Sequence, residues 1–180
     1  TTFSMPADCP VCGTPVARRP GEAVVRCPNK NCPAQVRAVI RHFVSRGAMD
    51  VDGLGAKIVD QLIDRGLVRE PADLYTLDLE KLLKLDKIAE KSAGNLLRAI
   101  ENSKRTTLDR FIYALGIRHV GEHVARVLAR RFGRVDRLRT ATEEALREVP
   151  EIGPQIAESV VSFFADETRS RHVDRLLEHV

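Results

Sequence analysis

Apolar residues recur along most of this chain at helical spacing. Val36, Val39, Ile40, Phe43 and Val44 line one side of a first run, with Arg37, Arg41 and Arg46 opposite. Pro33 stands where a first helical residue would, so the pattern predicts a helix from Pro33 that Gly47 ends. Further helical patterns lie at about 55–66 (Ile58, Leu62, Ile63), 78–84 and 92–102 (Leu96, Leu97, Ile100). Thr106 or Thr107 is placed to cap a helix bearing Leu108, Phe111, Ile112 and Leu115. Others fit 122–132, 142–148, 154–165 and about 168–179. Residues 8–32 read as short turns, with Ala23-Val24-Val25 the only strand-like run. The fold class is mainly α.

Between these helices a nine-residue pattern occurs four times. It reads Val51-Asp-Gly-Leu-Gly-Ala-Lys-Ile-Val59, then Leu85-Asp-Lys-Ile-Ala-Glu-Lys-Ser-Ala93. It returns as Ile117-Arg-His-Val-Gly-Glu-His-Val-Ala125 and Val149-Pro-Glu-Ile-Gly-Pro-Gln-Ile-Ala157. Successive starts are 34, 32 and 32 residues apart, the mark of one supersecondary unit repeated. Positions one and four are apolar, five is Gly or Ala, and eight and nine are mostly apolar. With amphipathic runs on both sides, each unit reads as helix, tight hairpin, helix. The small residue at five is expected to make the sharp turn and to let the backbone approach another molecule closely. The helix behind it would point free N–H groups and a positive dipole end outward, which suits a phosphate. Four such sites suggest a surface that grips a polyanion at intervals.

All four cysteines lie in the first 32 residues, as Cys9-Pro-Val-Cys12 and Cys27-Pro-Asn-Lys-Asn-Cys32. Two short knuckles at this spacing bring four thiolates to the corners of a tetrahedron, so Cys9, Cys12, Cys27 and Cys32 are expected to hold one structural zinc. Four thiolates leave no open position for catalysis. Two disulfides are the alternative, disfavoured by a start with no basic-plus-apolar signal segment, which points to a cytoplasmic protein. A thioredoxin-type pair lacks the surrounding βαβ pattern. The missing initiator Met points to a piece cut from a longer chain. The expected organisation is a finger at 1–33, a connecting helix at 34–50, one hairpin pair at 51–105 and a second at 106–180, with 103–107 as the joint.

Charge refines this picture only locally. The formal net charge is +4, with pI about 9.0 and mean hydropathy −0.20. Residues 1–50 hold 7 Lys+Arg against 3 Asp+Glu, and zinc on four thiolates would lower that excess from +4 to +2. Residues 51–115 and 116–180 each hold 11 against 11, so an anion site must be local. Seven arginines between Arg118 and Arg139 face only Glu122 and Asp136, which suits a phosphate backbone or a solvated helix face. No stretch approaches the length of a membrane span. Aromatics at 4% with no Trp give few platforms for single-stranded bases, so duplex is favoured. His119 and His123 could share a metal at i, i+4, but without a third ligand they read as solvent- or phosphate-facing.

A set of short strings stands out: Cys9-Pro-Val-Cys12-Gly, Cys32-Pro-Ala-Gln, His42-Phe43, Ser45-Arg46, Ala48-Met49, Gly53-Leu-Gly55, Asp73-Leu-Tyr75, Glu90-Lys-Ser-Ala93, Asn95-Leu96, Ser103-Lys104 and Ala114-Leu-Gly-Ile-Arg-His-Val-Gly121. Through these the chain resembles the zinc-finger and helix-hairpin-helix part of bacterial NAD⁺-dependent DNA ligases. The resemblance spans about 8–180, and it implies a monomeric scaffold that grips duplex DNA around a nick through backbone contacts in the minor groove, during replication and repair. It implies contacts at Gly53, Leu54, Gly55 and Lys57; Lys87 and Lys91; Arg118, His119, Val120, Gly121 and His123; and Ile152, Gly153 and Gln155. The second unit departs from the family by having Lys87 and Ala89 where Gly is frequent. Its backbone is therefore expected to approach a phosphate less freely, so that either the Lys87 or Lys91 side chain makes the contact instead or this hairpin only packs. No Lys-x-Asp-Gly motif occurs, so this chain alone is expected to be non-catalytic, with NAD⁺ chemistry in an N-terminal part. The alternatives are the hairpin region of an excision nuclease, of a branch-migration protein or of a lyase using Lys57, Lys87 or Lys91, and a zinc-organised protein-interaction module.

Overall fold

The computed structural model describes residues 5–18 and 23–180, and Arg19, within the finger, lies outside them. The chain divides into two compact units, Thr1–Ala38 and Val39–Val180. The division falls inside the first helix, α1 (Pro33–Phe43).

In the first unit, β1 (Ala17–Arg18) pairs antiparallel with β2 (Val25–Arg26), Ala17 opposite Arg26 and Arg18 opposite Val25. Only Val25 of the expected strand 23–25 lies in a strand. Among the described residues before Val39, the buried side chains are Cys9 and Cys32. This unit has thiols where a core should be.

The second unit is helical: α2 (Ala56–Asp64), α3 (Leu79–Leu83), α4 (Glu90–Ser103), α5 (Leu108–Ala114), α6 (Glu122–Phe132), α7 (Val135–Arg139), α8 (Glu143–Arg147), α9 (Pro154–Ala165) and α10 (Glu167–Leu177). A 3-10 turn spans Pro71–Thr76. Two expectations change. α1 ends at Phe43, four residues before Gly47, and neither α7 nor the 3-10 turn was predicted. Gly47 serves packing instead, since a Cβ there would overlap the Glu122 carboxylate and lie 3.3 Å from the Tyr113 ring. No helix among the described residues is long and apolar enough to cross a membrane.

The repeat supplies much of the core. Position one is buried in all four units (Val51, Leu85, Ile117, Val149), and so is position nine (Val59, Ala93, Ala125, Ala157). Leu54, Val120 and Ile152 are buried at position four. Three of the hairpin strings thus fold inward through three side chains, and the second, with Ile88 half-buried, through two.

Candidate functional site

The four cysteine sulfurs lie within 4.8 Å of one another. Sγ of Cys9 is 3.9 Å from Cys32, and Sγ of Cys12 is 3.5 Å from Cys27. Zn–S bonds of about 2.3 Å place tetrahedral sulfurs about 3.8 Å apart, whereas a disulfide needs about 2.05 Å. The spacing fits one shared ion, and all four thiols are free. Local backbone explains the convergence. Gly13 turns at φ 68 and donates to the Cys9 carbonyl at 2.8 Å, while Cys9 N–H donates to Thr14 at 2.9 Å. In the second knuckle, Cys32 N–H donates to Asn29 at 3.1 Å, and Gln35 at the start of α1 donates to the Cys27 carbonyl at 2.6 Å. The Thr14 hydroxyl, 3.3 Å from the Cys12 sulfur, is the main cause that lowers that thiol to about 6. Desolvation, reinforced by the neighbouring sulfurs, pushes Cys27 to about 12. Four sulfurs this close together suit a shared cation, which would hold them as thiolates. Among the described residues this is the one grouping of three or more potential metal ligands, so His119 and His123 gain no third partner.

The four hairpins share one backbone. Position three is left-handed in each: Gly53 at φ 79, Lys87 at 61, His119 at 63 and Glu151 at 71. Position five is instead extended and caps the following helix: Gly55 at φ −70, Ala89 at −109, Gly121 at −85 and Gly153 at −81. Its carbonyl accepts the N–H of position nine at 3.1, 2.9, 2.9 and 3.1 Å in order. This corrects the expectation that the small residue at five makes the turn. A left-handed non-glycine residue is costly, by about 1–2 kcal/mol, and three of the four tips accept that cost.

In the second hairpin, Lys87 and Ala89 adopt the same backbone conformations as their counterparts. Its difference lies at position eight, where Ser92 Oγ accepts the Ala89 N–H at 2.9 Å. The other units have Ile58, Val124 or Ile156 there and no hydroxyl to offer. That serine was visible in the sequence as the one polar residue at an otherwise apolar position.

Glycine at position five answers no internal need. A Cβ on Gly55, Gly121 or Gly153 would meet nothing within 4 Å, and their φ values suit any residue. Gly53 differs, because a Cβ there would lie 3.1 Å from Leu96. Among the other expected contact residues, Leu54, Val120 and Ile152 bury their side chains and can offer only backbone. Lys57, Lys87, Lys91, Arg118, His119, His123 and Gln155 are exposed. Lys57, Lys91, His123 and Gln155 all occupy position seven, the second residue of α2, α4, α6 and α9. A cation at a helix N-terminus opposes the dipole, so an anion bound there would offset that cost for Lys57 and Lys91. His123 Nε2 pairs with the Glu151 carboxylate of the fourth tip at 2.6 Å. The arginine-rich stretch is not uniformly available: Arg139 is taken by Asp174 and Ser170, and Arg134 lies 3.5 Å from Asp136.

Comparison with known proteins assigns this architecture. Residues 8–34 match the NAD-dependent DNA ligase C4 zinc finger domain, 46–102 a SAM-like helix-hairpin-helix tandem, and 110–173 a helix-hairpin-helix motif. The chain is similar to the C4 zinc-finger and helix-hairpin-helix region of NAD-dependent DNA ligases. The DNA ligase of Desulfosudis oleivorans is 53% identical over 180 residues, covering 99% of this chain and 26% of that protein. That of Geobacter metallireducens is 52% identical over 174 residues, covering 97% and 26%. The DNA ligase of Syntrophus aciditrophicus is 50% identical over the same length. The chain thus spans about a quarter of these ligases and corresponds to their finger and hairpins.

Proposed function

We propose that this chain binds duplex DNA through its phosphate backbone, without sequence preference, and holds nicked DNA within an NAD⁺-dependent ligase acting in replication and repair. The observation that carries this is the glycine at position five of three hairpins, where a side chain would meet nothing in the protein. A residue kept small without internal cause leaves room for an external group to approach. Helix N-terminal amides and the polar side chains at position seven surround that space, the chemistry that recognises a phosphate oxygen. The four sulfurs hold a structural zinc that shapes the finger. The binding module acts as a monomer in the cytoplasm.

Anisotropy titrations on unrelated duplexes test this. If about six phosphates are neutralised, log affinity against log salt should have a slope near −5. A flat salt response, or a preference above about tenfold for one sequence, would defeat the reading.

The fourth tip offers a finer test. Glu151 puts a carboxylate where a phosphate would come, so Glu151→Gln should tighten duplex binding about threefold at low salt, with an unchanged melt. Weaker binding would mean that Glu151 orients His123 for the contact instead.

NAD⁺ chemistry belongs elsewhere in the ligase, because no Lys-x-Asp-Gly occurs in this sequence to carry AMP. Labelled NAD⁺ should leave no covalent label on this polypeptide, and a labelled band would overturn that assignment.

A further inference from the structure

The segment His42–Asp50 leads into the first hairpin. It is fastened to α5, the helix ahead of the third hairpin. Arg110 Nε donates to the Ala48 carbonyl at 2.9 Å, and a terminal nitrogen of the same guanidinium donates to the Arg46 carbonyl at 2.7 Å. That guanidinium also lies 3.5 Å from the Asp50 carboxylate. His42 Nε2 is 2.7 Å from the Tyr113 carbonyl, so this nitrogen carries the proton, and the two rings meet edge to face at 4.7 Å. Gly47 sits against Glu122, the first residue of α6.

A second fastening joins the 3-10 turn to α10. Arg175 reaches Asp73 at 3.0 Å and pairs with Glu70, which also meets His172 Nε2 at 2.6 Å. Tyr75 stacks on His179 at 5.2 Å. The first hairpin pair is therefore tied to the second at its beginning and beyond its first helix.

We propose that the Arg110–His42 clasp is a positioning device that fixes hairpin one against hairpin three so that the tips engage a single duplex together. This rests on the reading of the tips as phosphate contacts. Apolar packing alone tolerates small slides, whereas a planar fork on two carbonyls fixes both distance and angle. Phosphates sit at fixed intervals along the duplex, so tips held in register bind the second pair at a high effective concentration. Tips free to shift lose that advantage without losing any contact of their own.

The test compares two duplexes, one long enough for all four tips and one half that length. Wild type should bind the long duplex about 100-fold more tightly than the short one. Arg110→Met should cut that ratio at least tenfold and leave short-duplex affinity within about twofold. His42→Leu should do the same in a smaller degree, and His42→Gln, which keeps a donor for the Tyr113 carbonyl, should restore the ratio. Should Arg110→Met fail to fold by circular dichroism, the His42 pair decides the matter. A ratio equal to wild type, or an equal loss on both duplexes, overturns the clasp and leaves Arg110 a purely structural residue. Were wild type to bind neither duplex, the tip reading and the clasp would fall together. Loss of binding in Gly121→Glu beside an unchanged ratio in Arg110→Met would sink the clasp alone.

Discussion

Replacing Cys32 with serine should abolish zinc retention and unfold residues 8–33, while the helical unit keeps its circular-dichroism signal. Cys32 is 1% exposed, and its sulfur lies 3.9 Å from that of Cys9. The finger's strands are two residues each, too short to persist unaided. Its only buried side chains among the described residues are two of the four cysteines, so a bound zinc would supply the core. Structural zinc sites of this type contribute about 10–16 kcal/mol of binding free energy, which here is folding free energy. The helical unit is independent in this respect, with Phe43, Leu62, Leu74, Ile112, Leu128 and Val160 among its fully buried side chains. Elemental analysis should find one zinc per wild-type chain and none in Cys32→Ser, with finger resonances collapsing in the variant. Reduced wild type without zinc would end this account, as would a helical unit that melts when a chelator is added.

The double variant Gly121→Glu with Gly153→Glu should lose about 100-fold or more in duplex affinity while remaining folded. Each glutamate puts a side chain into the space a phosphate would use and a negative charge beside it. Since the added Cβ meets nothing and φ stays at −85 or −81, the fold should tolerate both changes within about 1 kcal/mol each. Ala89→Glu is the internal comparison. Its amide is already taken by Ser92, so that hairpin has less to lose and affinity should fall only severalfold. Affinity and a thermal melt must be measured together. Wild-type affinity in the double variant would remove the phosphate-gripping role from these tips, and an unfolded double variant would show that the glycines serve the fold.

Some of this arrangement was legible because it is local. The spacing of Cys9, Cys12, Cys27 and Cys32 determines which sulfurs can meet, since turns of two and four intervening residues leave few other geometries. α6 and α9 occupy the bounds expected of them, because their apolar stripes run three turns between a Gly cap and a clear stop. Position five is small as expected, but the sharp turn lies at position three. Left-handed backbone ordinarily signals glycine, and here Lys87, His119 and Glu151 adopt it at position three. The buried residues at positions one and nine of each unit frame that tip, and local propensity does not reveal it.

By itself, the sequence determined the four-cysteine cluster, the fourfold repeat and most helix bounds, because each depends on residues within a few positions of one another. Tertiary structure alone decided the rest. α7 and the 3-10 turn, at five and six residues, are too short to be stable without what they pack on. Gly47 reads as a helix stop until Glu122, 75 positions later, is seen against it. Arg110 reads as one more surface cation until its guanidinium is found on carbonyls 62 and 64 residues away. The Glu151–His123 pair joins two hairpins 28 residues apart. Such contacts bring together groups that are distant along the chain, and periodicity records only what neighbouring turns of one helix must share.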